Sequence, residues 1–325
     1  MSDDSARSAP SALNATNELR LVTALASALR SQLPTPHVER VTGGVSTRVY
    51  RLRLDGEKLY LRVLPEEGAS FAPEATAHRL ARATGARVPD IMYLHPCHPE
   101  IGRSVMVTSE ILGEPVWRRP FDDATREILR EAGRDLARVN SVQVGGFGWI
   151  RRDAEADDHL LGEHTSQRAF ALEYLETDLA ALARHGLSCG EADAIRAVIA
   201  RRDDWLDGER ARLAHGDFDV THIFQRNGRY TGIIDFGEIR GADTLYDLGH
   251  FRAHDGETLP ALALPYLLAG YAEIAKLPDE APLRITLASL LITLRALGRA
   301  AEKRPERLAG HWGWRVMRRE LAALA

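Results

Sequence analysis

Apolar residues recur at helical spacing over residues 19–33 (Leu19, Leu21, Val22, Leu25, Leu29 and Leu33), and Pro34 and Pro36 then end the run. Residues 1–17, rich in Ser, Ala, Asp and Asn with no apolar period, read as a disordered leader. Further on the period changes from helical to alternating. Val49, Arg51 and Arg53 interleave with Tyr50, Leu52 and Leu54, and Asp55-Gly56 supplies a tight turn before the apolar run 59–64, which predicts a hairpin. Residues 71–84 read as a helix, 88–94 as extended chain, and 104–112 as a buried strand ending at Gly113. The sum is a small sheet with one helix.

From Asp122 onward long amphipathic patterns take over, at residues 122–142, 166–185, 190–206 and several beyond 257, broken only by short strands near 221–226 and 230–235. The stretch 113–121, which holds Pro115 and Pro120, is the natural linker. The pattern therefore predicts an α+β chain with a β-rich N-terminal lobe at 18–113 and a mainly helical C-terminal lobe at 114–325. A ligand is expected in a cleft of such a fold.

Composition narrows the class. The chain has 325 residues, 45% of them hydrophobic, enough for a substantial core. No uninterrupted apolar run approaches the roughly 20 residues that span a bilayer, and the N-terminus is acidic and polar, so a cytoplasmic location without a membrane partner is expected. The net charge of -4 gives no basic excess for nucleic acid, although the C-terminal region is locally rich in Arg. Cys97 and Cys189 stand alone, outside any zinc or disulfide pattern.

The chemistry concentrates in His215-Gly216-Asp217 and in Asp235, eighteen positions after Asp217. Asp217 follows the apolar lead-in Leu213-Ala214, where a carboxylate can take the proton of a hydroxyl. Asp235 ends the strand-like run Gly232-Ile233-Ile234 and offers oxygen to a hard cation such as Mg²⁺. Taken singly, each fits an ordinary turn or capping residue. Taken together, HGD, one hairpin and IDF resemble the catalytic and metal loops of the protein-kinase-like fold, and most closely the aminoglycoside phosphotransferase and choline kinase superfamily.

That resemblance implies a two-lobed kinase-like fold and a set of roles. Asp217 is the catalytic base, Asp235 the principal Mg²⁺ ligand, His215 part of the loop signature, and Asp247 the carboxylate that steadies the loop. The superfamily's metal-binding Asn falls on His222, a residue that also reads as a hydrogen-bonded loop histidine. Upstream, Gly43, Gly44 and Ser46 form the turn expected over phosphates. Arg62 is the cation for the α and β phosphates, oriented by Glu74; the pair also reads as a surface ion pair. The segment around Ser109, Glu110 and Ile111 resembles the hinge that meets the adenine edge.

The function so implied is transfer of the γ-phosphoryl group of ATP, or GTP, to a hydroxyl of an aminoglycoside, macrolide, amino alcohol or sugar-like molecule, with Mg²⁺. A cationic acceptor calls for acidic residues, of which Glu173, Glu176, Asp178, Asp255 and Glu257 are candidates. A bulky neutral one calls for aromatics such as Trp149, Phe170, Tyr174, Phe251, Trp312 and Trp314. The alternative is a catalytically silent nucleotide-binding or scaffold protein, in which Arg62 and His222 mark decay.

Overall fold

The computed structural model describes residues 15–29, 37–41, 47–54, 56–152, 159–208 and 210–325. Helix α1 (Ala15–Leu29) is followed by strands β1 (His37–Val41), β2 (Arg48–Leu54) and β3 (Glu57–Val63), helix α2 (Ala72–Ala83), and strands β4 (Ile91–His98) and β5 (Arg103–Ser109). The helix expected at 19–33 thus begins at Ala15, inside the stretch read as a leader; residues 1–14 and 30–36 lie outside the described residues. The five strands form one antiparallel sheet in the order β1-β2-β3-β5-β4. Leu54 stands opposite Glu57, which leaves a two-residue turn, and Gly56 adopts φ 83°, the left-handed region where a side chain is costly.

Alternation decides which face of this sheet is buried. Tyr50, Leu52, Leu59, Leu61, Val63, Val105 and Val107 join Val22, Leu25 and Ala26 of α1 in one apolar cluster. Glu18 of α1 is buried in the same unit and receives hydrogen bonds from Arg48 and the Tyr50 hydroxyl.

The second part of the chain contains β6 (Glu114–Pro115), α3 (Asp123–Val139), β7 (Phe147–Ile150), β8 (Gly162–His164), α4 (Gln167–Leu172), α5 (Leu175–Ala183) and α6 (Cys189–Ala200). It continues with β9 (Arg212–Ala214), β10 (Ile223–Arg226), β11 (Arg229–Ile233), β12 (Arg240–Ala242), α7 (Tyr246–His254), α8 (Leu264–Ala272), α9 (Ala281–Lys303) and α10 (Gly313–Leu324). Two patterns expected as single helices are interrupted. Residues 166–185 break at Glu173-Tyr174 into α4 and α5, and 190–206 ends as α6 followed by a short 3₁₀ turn, Asp203–Leu206. Small sheets β11-β10-β6 and β8-β7-β12-β9 carry the loops of interest.

The chain divides into two compact units, one with the described residues up to Ala75, Asp90–Glu110 and Arg152, the other with Thr76–Pro89 and most of the chain after Ile111. The expected single cut at Gly113 is therefore too simple. Ala77, Ala81, Ala86 and Val88 pack in the apolar cluster of α3, α7 and α8, which draws this stretch into the second unit. Helix α9 has 23 residues, and an 18-residue window of it has a mean hydropathy of 1.3, enough by length and composition to cross a membrane. Arg284 and Arg295 interrupt its apolar run; here it packs against α5, α7 and α10, with Ile285, Leu290, Leu294 and Leu297 buried.

Helices α3 and α8 approach through glycines. A Cβ on Gly270 would lie 1.9 Å from the Arg130 carbonyl oxygen, and one on Gly133 would lie 2.1 Å from that of Leu267. Neither backbone oxygen can rotate away, so the Gly270→Ala variant is expected to lose about 2 kcal/mol or more of stability in urea denaturation. An unchanged midpoint would mean that the two helices separate without cost.

Candidate active site

The loop after β9 is held by buried charge. Asp247, fully buried in the first turn of α7, accepts the backbone N–H of His215 at 2.8 Å, that of Gly216 at 2.9 Å and the Asn140 side-chain amide at 2.9 Å. A carboxylate with three donors offsets much of its burial cost. The resemblance had cast Asp247 as a steadying group, and these bonds are how it steadies. Asn140, at the end of α3, also donates to the Leu213 carbonyl at 2.9 Å, which fixes the strand that delivers the loop. Gly216 has φ 89°, and a Cβ there would meet the Glu238 carbonyl oxygen at 1.8 Å. Only glycine fits.

His215 is buried, and its Nε2 lies 2.8 Å from the Ile234 carbonyl oxygen. A carbonyl only accepts, so Nε2 carries the proton, and Nδ1 is left to accept the Asp217 backbone N–H at 3.4 Å. Burial, with His222 nearby, lowers the His215 pKa and keeps the ring neutral. His215 thereby ties the Asp217 loop to the residue just before Asp235.

The Asp217 side chain stays 46% exposed, while crowding by protein atoms raises its carboxyl above the ordinary range; Asp219 and Asp235 push the same way, against His222 and His215. His250 Nε2 faces it at 3.3 Å. The other ring nitrogen of His250 lies 3.1 Å from the Phe218 carbonyl oxygen and must donate to it, so the neutral ring turns a lone pair toward Asp217.

Asp235 sits beyond β11 with φ 67° and ψ 67°, a left-handed conformation rare outside glycine. Next to it Phe236 is fully buried against His78 and His215, both with ring centres 4.7 Å away, so the aromatic anchor points inward while the Asp235 side chain remains 55% exposed. His222 Nδ1 donates to the Asp217 carbonyl at 2.7 Å, and its Nε2 lies 3.9 Å from Asp235 Oδ2. With Nδ1 committed, Nε2 is the ring nitrogen of His222 turned toward the Asp235 carboxylate, so one nitrogen and one carboxylate oxygen stand side by side. Among the described residues no group of three or more ligand side chains converges. A carboxylate with one further donor still matches Mg²⁺, which keeps waters and phosphate oxygens as its remaining ligands.

In the first unit Arg62 of β3 pairs with Glu74 of α2, and both are buried, 9% and 3% exposed, so the pair is not a surface one. The Arg62 guanidinium also lies 5.1 Å from the centre of the Phe71 ring. Gly43, Gly44 and Ser46 lie outside the described residues. The strand expected to reach residue 112 ends at Ser109, whose backbone N–H already donates to the Asp90 carbonyl at 2.9 Å and whose hydroxyl accepts the Asp90 N–H at 2.8 Å. Its backbone N–H is therefore committed within the sheet. Glu110 pairs with Lys58 at 3.1 Å, and the Ile111 side chain belongs to the second unit, close to Gly232.

Residues 37–319 match the sequence profile of a family described as "Phosphotransferase enzyme family". The chain belongs to that family. A search of curated proteins finds no match. Among solved structures, a thermostable mutant of aminoglycoside phosphotransferase APH(4)-Ia, in ternary complex with ADP and hygromycin B, superposes with a TM-score of 0.68 at 16% identity, over 93% of this chain and 99% of that one. The apoenzyme of macrolide 2'-phosphotransferase MphH from Brachybacterium faecium gives 0.59 at 18% identity, over 94% and 97%. At these identities the likeness shows the fold, a two-lobed protein-kinase-like one.

Within this phosphotransferase, two residues of the loop environment, Arg240 and His250, escaped the motif reading. Arg240 of β12, 7% exposed, donates to the Gly216 carbonyl at 2.6 Å and to the Tyr246 hydroxyl at 2.7 Å, with its guanidinium 4.1 Å from the centre of the Trp149 ring. An Arg in an otherwise apolar strand was the available signal. His250 gave none, because its partner lies far away in sequence.

Burial, with His254 alongside, lowers the His250 pKa to about 3, and burial also lowers His254. In the unfolded chain these rings bind a proton below about pH 6.5, whereas the folded state resists, so stability present above that pH is lost as pH falls. For His250 alone the loss between pH 7 and pH 5 is about 2 kcal/mol. Denaturation curves at both pH values should show His250→Gln less acid-sensitive by that amount; equal sensitivity would mean that the ring is charged in the fold.

Proposed function

We propose that this phosphotransferase moves the γ-phosphoryl group of a nucleoside triphosphate to a hydroxyl of a small molecule. The observation that carries the reading is the Asp217 carboxylate: partly exposed, raised in pKa, and mounted on a loop whose backbone is fixed by Asp247, Arg240 and His215. Catalysis of this transfer is mostly positioning and charge stabilisation, so a rigid mount for one base is the main requirement.

The acceptor hydroxyl donates to Asp217 and gives up its proton there as its oxygen bonds to the γ-phosphorus. The bond from that phosphorus to the β,γ-bridging oxygen breaks, and the nucleoside diphosphate leaves. Asp235 and His222 would hold Mg²⁺, which when bound neutralises phosphate charge. Arg62, fixed by Glu74, is the cation assigned to the α and β phosphates, and the backbone near Ile111 is the proposed base-recognition segment. ADP is bound in the APH(4)-Ia structure, which supports a nucleotide here.

The test needs no knowledge of the acceptor. Melting temperatures with ATP and with GTP, each with and without Mg²⁺, should rise only when nucleotide and metal are both present. At about 100 times the dissociation constant the gain is about 2.7 kcal/mol. Asp235→Ala should abolish the metal-dependent part. A full response in that variant would remove Asp235 from the metal site, and no response in the wild type would favour the silent-scaffold alternative.

A further inference from the structure

The second unit encloses a cavity of about 360 Å³, within the size range of small-ligand pockets. Arg240 and Tyr246 form part of its wall, and Arg240 is the residue that donates to the Gly216 carbonyl, one position from Asp217. The cavity therefore adjoins the loop proposed to hold the base. Trp149, Phe170, Tyr174 and Trp205 supply flat apolar surface, and α9 adds Leu291. Such rings suit an acceptor with an apolar or aromatic body.

Charge in the cavity is more selective than its apolar surface. Its three carboxylates are all engaged. Glu173 faces His164 Nε2 at 3.2 Å; Asp178, buried and with its pKa raised by burial to about 6 against the pull of Arg295, accepts from that residue at 2.8 Å; and Asp243 accepts the Leu245 N–H at 2.8 Å. The other acidic candidates for a cationic acceptor are also taken: Glu176 pairs with Arg196 at 2.7 Å, Glu257 with Arg315, and Asp255 accepts the backbone N–H groups of Ala263 and Leu264 at 2.8 and 3.1 Å. Each of these carboxylates thus already has a hydrogen-bond or ion-pair partner.

Four arginines line the same space. Arg240 is committed to the loop, and Arg295 to Asp178 and to the face of Tyr174, 3.8 Å from the ring centre. Arg284 and Arg299 stand outside any direct pair, although the Arg284 charge reaches the Asp243 carboxylate and draws its pKa down against the rise that burial imposes. Among the described residues neither side chain makes an ion pair, and the buried Nε of Arg284 has no hydrogen-bond partner. The Arg284 guanidinium lies 5.4 Å from the centre of the Trp205 ring, so a fixed cation stands beside an aromatic surface. A polyamine entering here meets four guanidinium groups against three carboxylates that already have partners, an encounter that costs affinity. An anion gains a fork of donors.

We propose that this cavity is the acceptor site, and that its ligand is a hydroxyl compound with an aromatic or apolar body and a carboxylate group, the carboxylate received by Arg284 beside Trp205. The assignment rests on the phosphotransferase reading and deepens it by naming the acceptor class.

The test uses para-hydroxymethylbenzoate as the anionic aromatic alcohol, benzyl alcohol as its neutral counterpart, and kanamycin as the polycation. Binding of each to the full chain is followed by saturation-transfer NMR, with the Mg²⁺-ATP melting response of the same samples as an independent readout. The carboxylate probe should bind at least about tenfold more tightly than benzyl alcohol, the scale of one charge-assisted hydrogen bond. Kanamycin should not bind. Arg284→Gln should erase the preference for the carboxylate while keeping the wild-type nucleotide response, which also shows that it folds. Trp205→Leu should weaken both aromatic probes alike. Kanamycin bound in preference, an undiminished carboxylate preference in Arg284→Gln, or no aromatic probe bound at all would overturn the assignment. A missing nucleotide response would instead overturn the phosphotransferase reading, whatever the probes do.

Discussion

The peptide group of Gly216 is gripped from two sides, its N–H by the carboxylate of Asp247 and its C=O by the guanidinium of Arg240. Both side chains are buried, and both would be costly there without such partners. The burial cost of each charge thus becomes a constraint on one backbone unit. Gly216 meets it by adopting a left-handed conformation closed to any other residue at that approach, and Asp217 emerges next to it. Around this grip the rest of the second unit is arranged: α3 contributes Asn140, α7 contributes Asp247 and His250, and β12 contributes Arg240. The glycine contact between α3 and α8 belongs to the same packing, since Tyr271 of α8 donates its hydroxyl to Asn140 Oδ1 at 3.3 Å.

Local pattern made part of this legible. The hairpin with Gly56 at its turn, the long helix α3 and the buried strand β5 follow from alternation, helical period and turn chemistry, all short-range properties of the chain. Asp217, Asp235, His215 and Asp247 were found because their spacing resembles a known motif. His250 was not, because it meets Asp217 only after folding, across a separation of 33 positions. The break at Glu173-Tyr174 was missed for a related reason: the apolar period runs through it, and the contacts of Tyr174 with Arg295 of α9 are tertiary.

The same distinction separates the two readings of the acceptor. On sequence alone the acidic residues of the helical part serve as well as the aromatic ones, since a list of residues does not say which charges are already neutralised. Folding pairs the carboxylates with arginines or backbone amides and leaves Arg284 and Arg299 of the cavity outside any direct ion pair. The residual charge of a site, after its internal pairs are subtracted, is the quantity that selects a ligand.

The clamped loop is proposed to present Asp217 as a base for phosphoryl transfer. The most direct measurement is the rate of ADP formation from Mg²⁺-ATP with water as the acceptor, in the wild type and in Asp217→Asn, which keeps the shape of the side chain and removes its basicity. Slow, metal-dependent turnover is expected in the wild type, with a loss of about 10²-fold or more in the variant. Equal rates in the two proteins would contradict that role.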